Sequence, residues 1–345
     1  MRVIDGNLHQ GNFDDARSVA NNPDFSIVSV AQECYVGRDF HVPYPDGTWF
    51  KLWDLVSVYA FIMNELKRGK KTLLHCCVGA SRSVVVSVGW YCFRYGMSFD
   101  DAYRAVQPKV GSIPGGAHLD SIRYMCNFFT SNPWYLRYLK VQVEADDADP
   151  APGTNLDELF GWGVDVLKQY SVKDVLILGA SAAELAYFRR YFNAVGVTLA
   201  VRSYARARQA GLPMYFMDIA MQDVFNPASF DAVVAFDVLE HVYNPWSVIG
   251  ELRRLLRDNG VLFISVPTTW HETASIPWHT DMRDKKGWEL LLEWWDFEKD
   301  KDLSPQYVIT EGKTTATVKP PDRLTAVYVK KPYKKHQLYH DLMGV

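Results

Sequence analysis

Short, continuous apolar runs recur along the chain, separated by longer stretches in which apolar residues return every three or four positions. FSIVSV (Phe25–Val30) and KTLLHC (Lys71–Cys76) stand in the first half. DVLILG (Asp174–Gly179), VTLAV (Val197–Val201), FDAVVAF (Phe230–Phe236) and GVLFISV (Gly260–Val266) follow in the second. Runs of this length predict buried strands, and the stretches between them predict helices. Strands alternating with helices imply parallel sheets, so the predicted fold class is α/β with two domains in series. VEADDADPAPGTN (Val143–Asn155) is acidic, rich in Ala and Pro, and has little to bury, which predicts an interdomain linker. The expected units are therefore residues 1–142 and 156–331, with a tail over 332–345. WELLLEWWDF (Trp288–Phe297) predicts an amphipathic helix packed on the sheet edge. YVITEGKTTATVKPPDRLTAVYV (residues 307–329) reads as a closing hairpin, and KKPYKKH (330–336) as a solvated tail.

The 345 residues, 48% hydrophobic, suffice for two cores. A net charge of −3 gives no global attraction to nucleic acid or to an anionic membrane. No apolar run reaches the ~18 residues of a membrane span, and no basic segment followed by an apolar one opens the chain. A soluble, cytoplasmic protein without a membrane partner is expected. The five cysteines, Cys34, Cys76, Cys77, Cys92 and Cys126, are odd in number and lack CxxC spacing. That predicts no disulfide framework and no metal site, with Cys34, Cys92 and Cys126 as buried free thiols in a reducing compartment.

Cys76 differs because of its surroundings, LLHCCVGASRS (Leu73–Ser83). The apolar run predicts a strand ending at His75, and SRSVVVSVGWYCFRYG predicts a helix from near Ser81 to Gly96. The loop between them lies at a strand's carboxyl end, where ligands collect in α/β sheets. The amides of Cys77, Val78, Gly79, Ala80, Ser81 and Arg82 can cradle an anion there. A thiol in such a ring ionises readily. Arg82 presents a fork suited to two phosphoryl oxygens, Gly79 permits the bend, and Ser83 can hydrogen-bond the sulfur.

His75-Cys76-x5-Arg82-Ser83 resembles the signature of the cysteine-dependent protein phosphatases, in particular the dual-specificity group. The resemblance covers roughly residues 1–135. IDGNLHQGNFDDA is similar to that family's opening strand and turn, and MSFDDAYRAVQPKVGSIPGGAHLDSIRYM to its closing helices. The family implies a general acid about 30 residues before the cysteine. Asp46, in VPYPDGTW, resembles the family's Pro-x-x-Asp-Gly segment; Asp54, in KLWDLVSVYAF, is the competitor and reads as a helix N-cap. Cys77 replaces a longer polar residue of many relatives and reads as a loop filler, since adjacent cysteines bridge only with strain.

DVLILGASAAELAYF, DVLEHV and LLRDNGVLFISVP resemble class I S-adenosylmethionine-dependent methyltransferases over about residues 156–331. The family's acidic residue before the first glycine is Ile177 here, and of its glycines only Gly179 remains, with Ser181 and Ala183 at the later positions. Arg202 stands where an acidic residue normally accepts from the ribose, and an arginine cannot accept. Asp218, in MYFMDIA, matches the adenine contact, and Asp237 joins Gly179, Ser181, Arg202 and Asp218 as a cofactor-binding residue implied by the resemblance. Three occupancies stay open: S-adenosylmethionine, a phosphorylated ligand reached by Arg202, or none, as a scaffold. Glu240 and His241 read as shaping a strand-to-helix turn.

The resemblance implies a phosphatase that needs no cofactor or metal, acting on phosphorylated protein or a small phosphate ester through a cysteinyl-phosphate. Processing of RNA 5′ ends and a non-catalytic interaction role are the alternatives. Oligomeric state is not legible.

Overall fold

Lys71–His75 becomes the central strand of a five-stranded sheet because Thr72 to His75 are all excluded from solvent. The computed structural model describes residues 1–36, 39–144, 149–221, 224–268, 279–280, 283–304, 309–311, 314–316 and 323–332. It divides into two units, Met1–Asp147 with Ala200–Ala205, and Ala148–Leu199 with Arg206–Val345.

The first unit runs β1 (Arg2–Asp5), β2 (Leu8–Gly11), α1 (Phe13–Val19), β3 (Phe25–Ser29), β4 (Phe40–His41), α2 (Leu52–Lys67), β5 (Lys71–His75), α3 (Arg82–Tyr95), α4 (Phe99–Val110), α5 (Ala117–Ser131) and α6 (Pro133–Glu144). The strand order is β1-β2-β5-β3-β4. β2, β5, β3 and β4 are parallel, but β1 is antiparallel to β2, so the sheet is mixed rather than parallel throughout. Helix α3 is buried from Arg82 to Phe93, which suits its VVVSVGWYCF run. Gly96 ends it in the left-handed region at φ 69°. Gly89 lets α2 approach closely: a Cβ there would stand 2.1 Å from the hydroxyl of Tyr59, which donates to the Val86 carbonyl.

Two expectations are corrected here. Cys34 is joined to Cys77 and Cys92 to Cys126, with Cα–Cα separations of 5.2 and 5.5 Å, leaving Cys76 as the free thiol. The odd count hid two pairs and one reserved cysteine, and the partners are 43 and 34 residues apart, brought together only by the fold. Nor does Val143 belong to a linker. It is a fully buried residue of α6, and its carbonyl accepts from the Asn64 side chain at 2.8 Å.

The rest of the chain runs α7 (Leu156–Leu167), β6 (Asp174–Leu178), α8 (Ala182–Phe188), β7 (Asn193–Thr198), α9 (Val201–Gln209, which falls to the second unit from Arg206), β8 (Met214–Phe216), β9 (Phe230–Phe236), α10 (Pro245–Leu255), β10 (Leu256–Pro267), α11 (Lys285–Trp294), β11 (Phe297–Asp302), β12 (Ile309–Glu311), β13 (Thr314–Ala316) and β14 (Arg323–Lys330). Its main sheet is ordered β11-β14-β10-β9-β6-β7-β8. The strands from β10 to β8 are parallel, and β14 runs antiparallel to both of its neighbours. From β6 the chain winds to β7 and β8 on one side, then returns to β9 on the other. The carboxyl ends of β6 and β9 therefore flank the switch point, where α/β sheets hold ligands.

The stretch expected as one closing hairpin is split. β12 and β13 pair with each other, while β14 enters the main sheet between β10 and β11. On α11, Trp288, Leu291 and Leu292 are buried and Trp294 is exposed, the amphipathic division expected. Asp149, expected in the linker, accepts from the Ala183 amide at 3.1 Å and pairs with Arg206. Most of the basic tail lies outside the described residues. Among the described residues no helix is long and apolar enough to cross a membrane.

Candidate active site

His75 ends β5 and Ser81 stands at the N-cap position of α3 without a side-chain capping bond, so residues 76–81 form the turn between them. Gly79 makes the turn possible. Its φ is +73°, and a Cβ would lie 2.9 Å from the Gly11 carbonyl group. Val78 and Ala80 face solvent, whereas Cys76 is buried. The loop is anchored from β2 and the start of α1: Gln10 donates to the Gly79 carbonyl at 2.9 Å, and the Phe13 amide donates to the Cys77 carbonyl. Gln10 also donates to the Ser83 hydroxyl at 2.8 Å. Ser83 Oγ is also 3.2 Å from Cys76 Sγ, and its proton can go to the sulfur or to the Gly11 carbonyl oxygen 3.4 Å away. Burial alone would push the Cys76 thiol up. The Ser83 hydroxyl and the amides of Ser83, Gly79 and Ser81 outweigh it, holding the thiol below its ordinary range. His75 is lowered by burial; its Nδ1 is 3.2 Å from the Cys76 carbonyl oxygen.

Arg82 is 4% exposed and turned inward, yet its fork is occupied. It donates to the Tyr44 carbonyl at 2.7 Å and to Glu33 Oε2 at 2.9 Å, and its other terminal nitrogen meets Glu33 Oε1. Glu33 is held at a pKa of about 2, first by this hydrogen bonding and against the opposing cost of burial. A carboxylate thus takes the bidentate position expected for phosphoryl oxygens. The Cys34–Cys77 cross-link fixes the residue after Glu33 to the residue after Cys76. Cys77 is therefore a covalent anchor rather than a loop filler.

Asp46 and Asp54 are separated by their surroundings. Asp46 is exposed, with Oδ1 3.6 Å from Arg82 Nε and 3.2 Å from His118 Nε2. The Gly47 amide donates to the same His118 nitrogen at 2.9 Å, which fixes the acidic turn over α5. Asp54 is not an N-cap. Lys51 holds that position, and Asp54 accepts from the Tyr44 hydroxyl at 2.8 Å. It positions Tyr44, whose carbonyl holds Arg82. Sequence reasoning missed Gln10, Glu33, Tyr44 and His118. Gln10, Glu33 and Tyr44 reach the loop or Arg82, and His118 reaches Asp46, from positions far along the chain; Gln10, Tyr44 and His118 lie within stretches that resemble the family but carried no role of their own, and Glu33 lies in none.

In the second unit, Gly179 follows β6 with φ +73°, and a Cβ there would stand 2.3 Å from Val238 Cγ2. Ser181 caps α8, accepting from the Glu184 amide at 3.0 Å. Asp218 is buried beyond β8, with Oδ1 accepting from the Ala220 amide at 3.0 Å. Arg202 is corrected: it lies inside α9, not at the end of β7, which stops at Thr198. Asp237 adopts φ 54° after β9 and pairs with Arg323. Burial raises Glu184 to about 7 and pushes Glu240 well up, with the Asp237 charge adding to both. A nucleoside cofactor is compatible with the Gly179 turn; Ser181, Asp218 and Asp237 each have a partner within the chain. His241 joins Glu240 and His279, their donor atoms all within 4.8 Å of one another. His279 escaped the sequence reading because it sits in a segment without periodicity.

Residues 177–264 match a family model described as a methyltransferase domain. Dual specificity protein phosphatase 1B of Arabidopsis thaliana is 30% identical over 115 residues, covering 30% of this chain and 69% of that protein. Ubiquinone biosynthesis O-methyltransferase of Paracidovorax citrulli is 32% identical over 115 residues, covering 31% of this chain and 48% of that protein. The chain thus spans about two thirds of the first relative and about half of the second. Among solved structures, a SAM-dependent methyltransferase from Methanosarcina mazei aligns with TM-score 0.39 at 15% identity, covering 49% of this chain and 98% of that one. One from Archaeoglobus fulgidus aligns with TM-score 0.38 at 13% identity, covering 50% and 94%.

Proposed function

Through its first unit the chain belongs to the dual-specificity protein phosphatase family, and on that premise we propose that it hydrolyses phosphate monoesters through a cysteinyl-phosphate. The observation that carries the reading is the free Cys76 thiol, acidified by Ser83 and the loop amides and lying in the same turn as the inward-facing Arg82. In the first step the Cys76 thiolate attacks phosphorus and the bond to the leaving oxygen breaks. Asp46 delivers a proton to that oxygen. Arg82 exchanges Glu33 for two phosphoryl oxygens, and the loop amides hold the charge. In the second step water gives a proton to Asp46 and attacks phosphorus. The sulfur–phosphorus bond breaks, and Ser83 hydrogen-bonds the departing thiolate.

Asp46→Asn is expected to lower kcat for p-nitrophenyl phosphate by roughly 10²–10³-fold. Asp54→Asn, acting only through Tyr44, should cost about tenfold or less. The reverse order would transfer the acid role to Asp54.

The second unit carries a methyltransferase domain. Its proposed ligand is S-adenosylmethionine, held by the Gly179 turn and Asp218, which when bound supplies an electrophilic methyl group. Equilibrium dialysis should show saturable binding of S-adenosylmethionine that Asp218→Ala weakens by roughly tenfold, the loss expected for one buried hydrogen-bond acceptor. No saturable binding at millimolar ligand would remove this half of the proposal.

A further inference from the structure

Strand β9 delivers its carboxyl end into a tight turn in which the His241 amide donates to the Val238 carbonyl at 2.9 Å. The turn brings the adjacent side chains of Glu240 and His241 to one side, with His241 Nε2 3.8 Å from Glu240 Oε1. A distant segment is fastened against them by Thr280. Its amide donates to the Glu240 carbonyl at 2.7 Å, and its hydroxyl to the Val242 carbonyl at 2.6 Å. This pins the preceding residue, His279, with its ring edge-on to His241 at a centroid separation of 4.6 Å. Glu240 is 2% exposed, and its Oε2 has no hydrogen-bond partner among the described residues. A buried carboxylate oxygen without a donor is costly unless the group takes up a proton or a cation meets it. The nearby guanidinium of Arg323 is committed to Asp237 and to the Ser265 hydroxyl.

We propose that Glu240, His241 and His279 form a binding site for a divalent transition-metal ion. Two imidazoles and one carboxylate favour zinc, cobalt or manganese over magnesium or calcium, which prefer all-oxygen shells. Donor atoms about 2.0–2.2 Å from a metal stand at most roughly 4.4 Å apart. The present spread of up to 4.8 Å therefore closes with a small rotation of the half-buried histidines. Their partial exposure leaves the solvent side of the ion open to a further ligand.

Cobalt(II) titration of the chelator-treated, oxidised full-length chain tests the site. One equivalent should bind, giving visible d–d bands without a thiolate-to-cobalt charge-transfer band. Glu240→Gln and His279→Ala should each weaken binding by at least about tenfold, with circular dichroism showing that both remain folded. A double Cys34→Ser, Cys77→Ser variant should bind cobalt as the parent does, since Glu33, Cys34 and Cys77 form the other donor cluster among the described residues. A charge-transfer band, equal affinity in the two site variants, or no saturation at millimolar cobalt would each overturn the assignment.

Discussion

Cys76→Ser is expected to reduce p-nitrophenyl phosphate hydrolysis at least about 10⁴-fold while leaving the fold intact, because the nucleophile is lost and a hydroxyl at that position does not ionise near neutral pH. The buried sulfur touches the Ser83 hydroxyl and the turn amides, all of which a serine oxygen can also engage. Oxyanion binding should therefore survive, and tungstate should still protect the variant from heat. The lowered thiol pKa adds a second reading of the same site. In the parent chain, iodoacetamide should modify Cys76 at pH values where an ordinary thiol near 8.5 is almost wholly protonated. Residual turnover equal to that of the parent would end the cysteinyl-phosphate mechanism.

Arg82→Lys should cost roughly 10²–10³-fold in kcat/KM, since an ammonium cannot reproduce the two-pronged grip on oxygens that the guanidinium offers. The opposite sign is expected at Glu33. Its carboxylate now satisfies that fork, so an incoming phosphate must displace it. Glu33→Gln should lower KM by about tenfold, the scale of one charge-assisted hydrogen bond, with kcat little changed. Acidification does not substitute for the mutation. The Glu33 pKa of about 2 lies below its unfolded value, so the ion pair persists down through pH 4 and is lost only as pH falls toward 2. Reducing the Cys34–Cys77 bond acts in the same direction as Glu33→Gln, by freeing the Glu33 segment from the loop. A KM that rises in Glu33→Gln would show that the carboxylate assists substrate binding.

Much of this arrangement is legible in local chemistry. LLHCCVGASRS names its own strand, turn and helix, because an apolar run and a small-residue bend each act over a few bonds. Asp46 announces itself by a Pro/Gly turn. DVLILG and FDAVVAF likewise identify the two strands that flank the switch point of the second sheet. Other features have no local signature. Gln10 orients Ser83 across 73 positions of sequence, and Glu33 reaches Arg82 across 49. The stretch around Gln10 resembles the family's opening strand without marking the amide itself, and nothing near Glu33 distinguishes it from an ordinary surface acid.

Alternation of apolar runs and helical periods, together with the His75–Ser83 spacing, was enough to predict two α/β halves and a turn that holds Cys76 at the carboxyl end of a strand. These depend on short-range sterics, burial and backbone hydrogen bonding, which travel with the residues themselves. Only tertiary structure decided that four of the five cysteines are paired, that Glu33 holds the arginine, that Arg202 lies within a helix, and that His279 meets Glu240 and His241. Each depends on which distant segments become neighbours once the sheets close, a property of chain topology that no local pattern encodes.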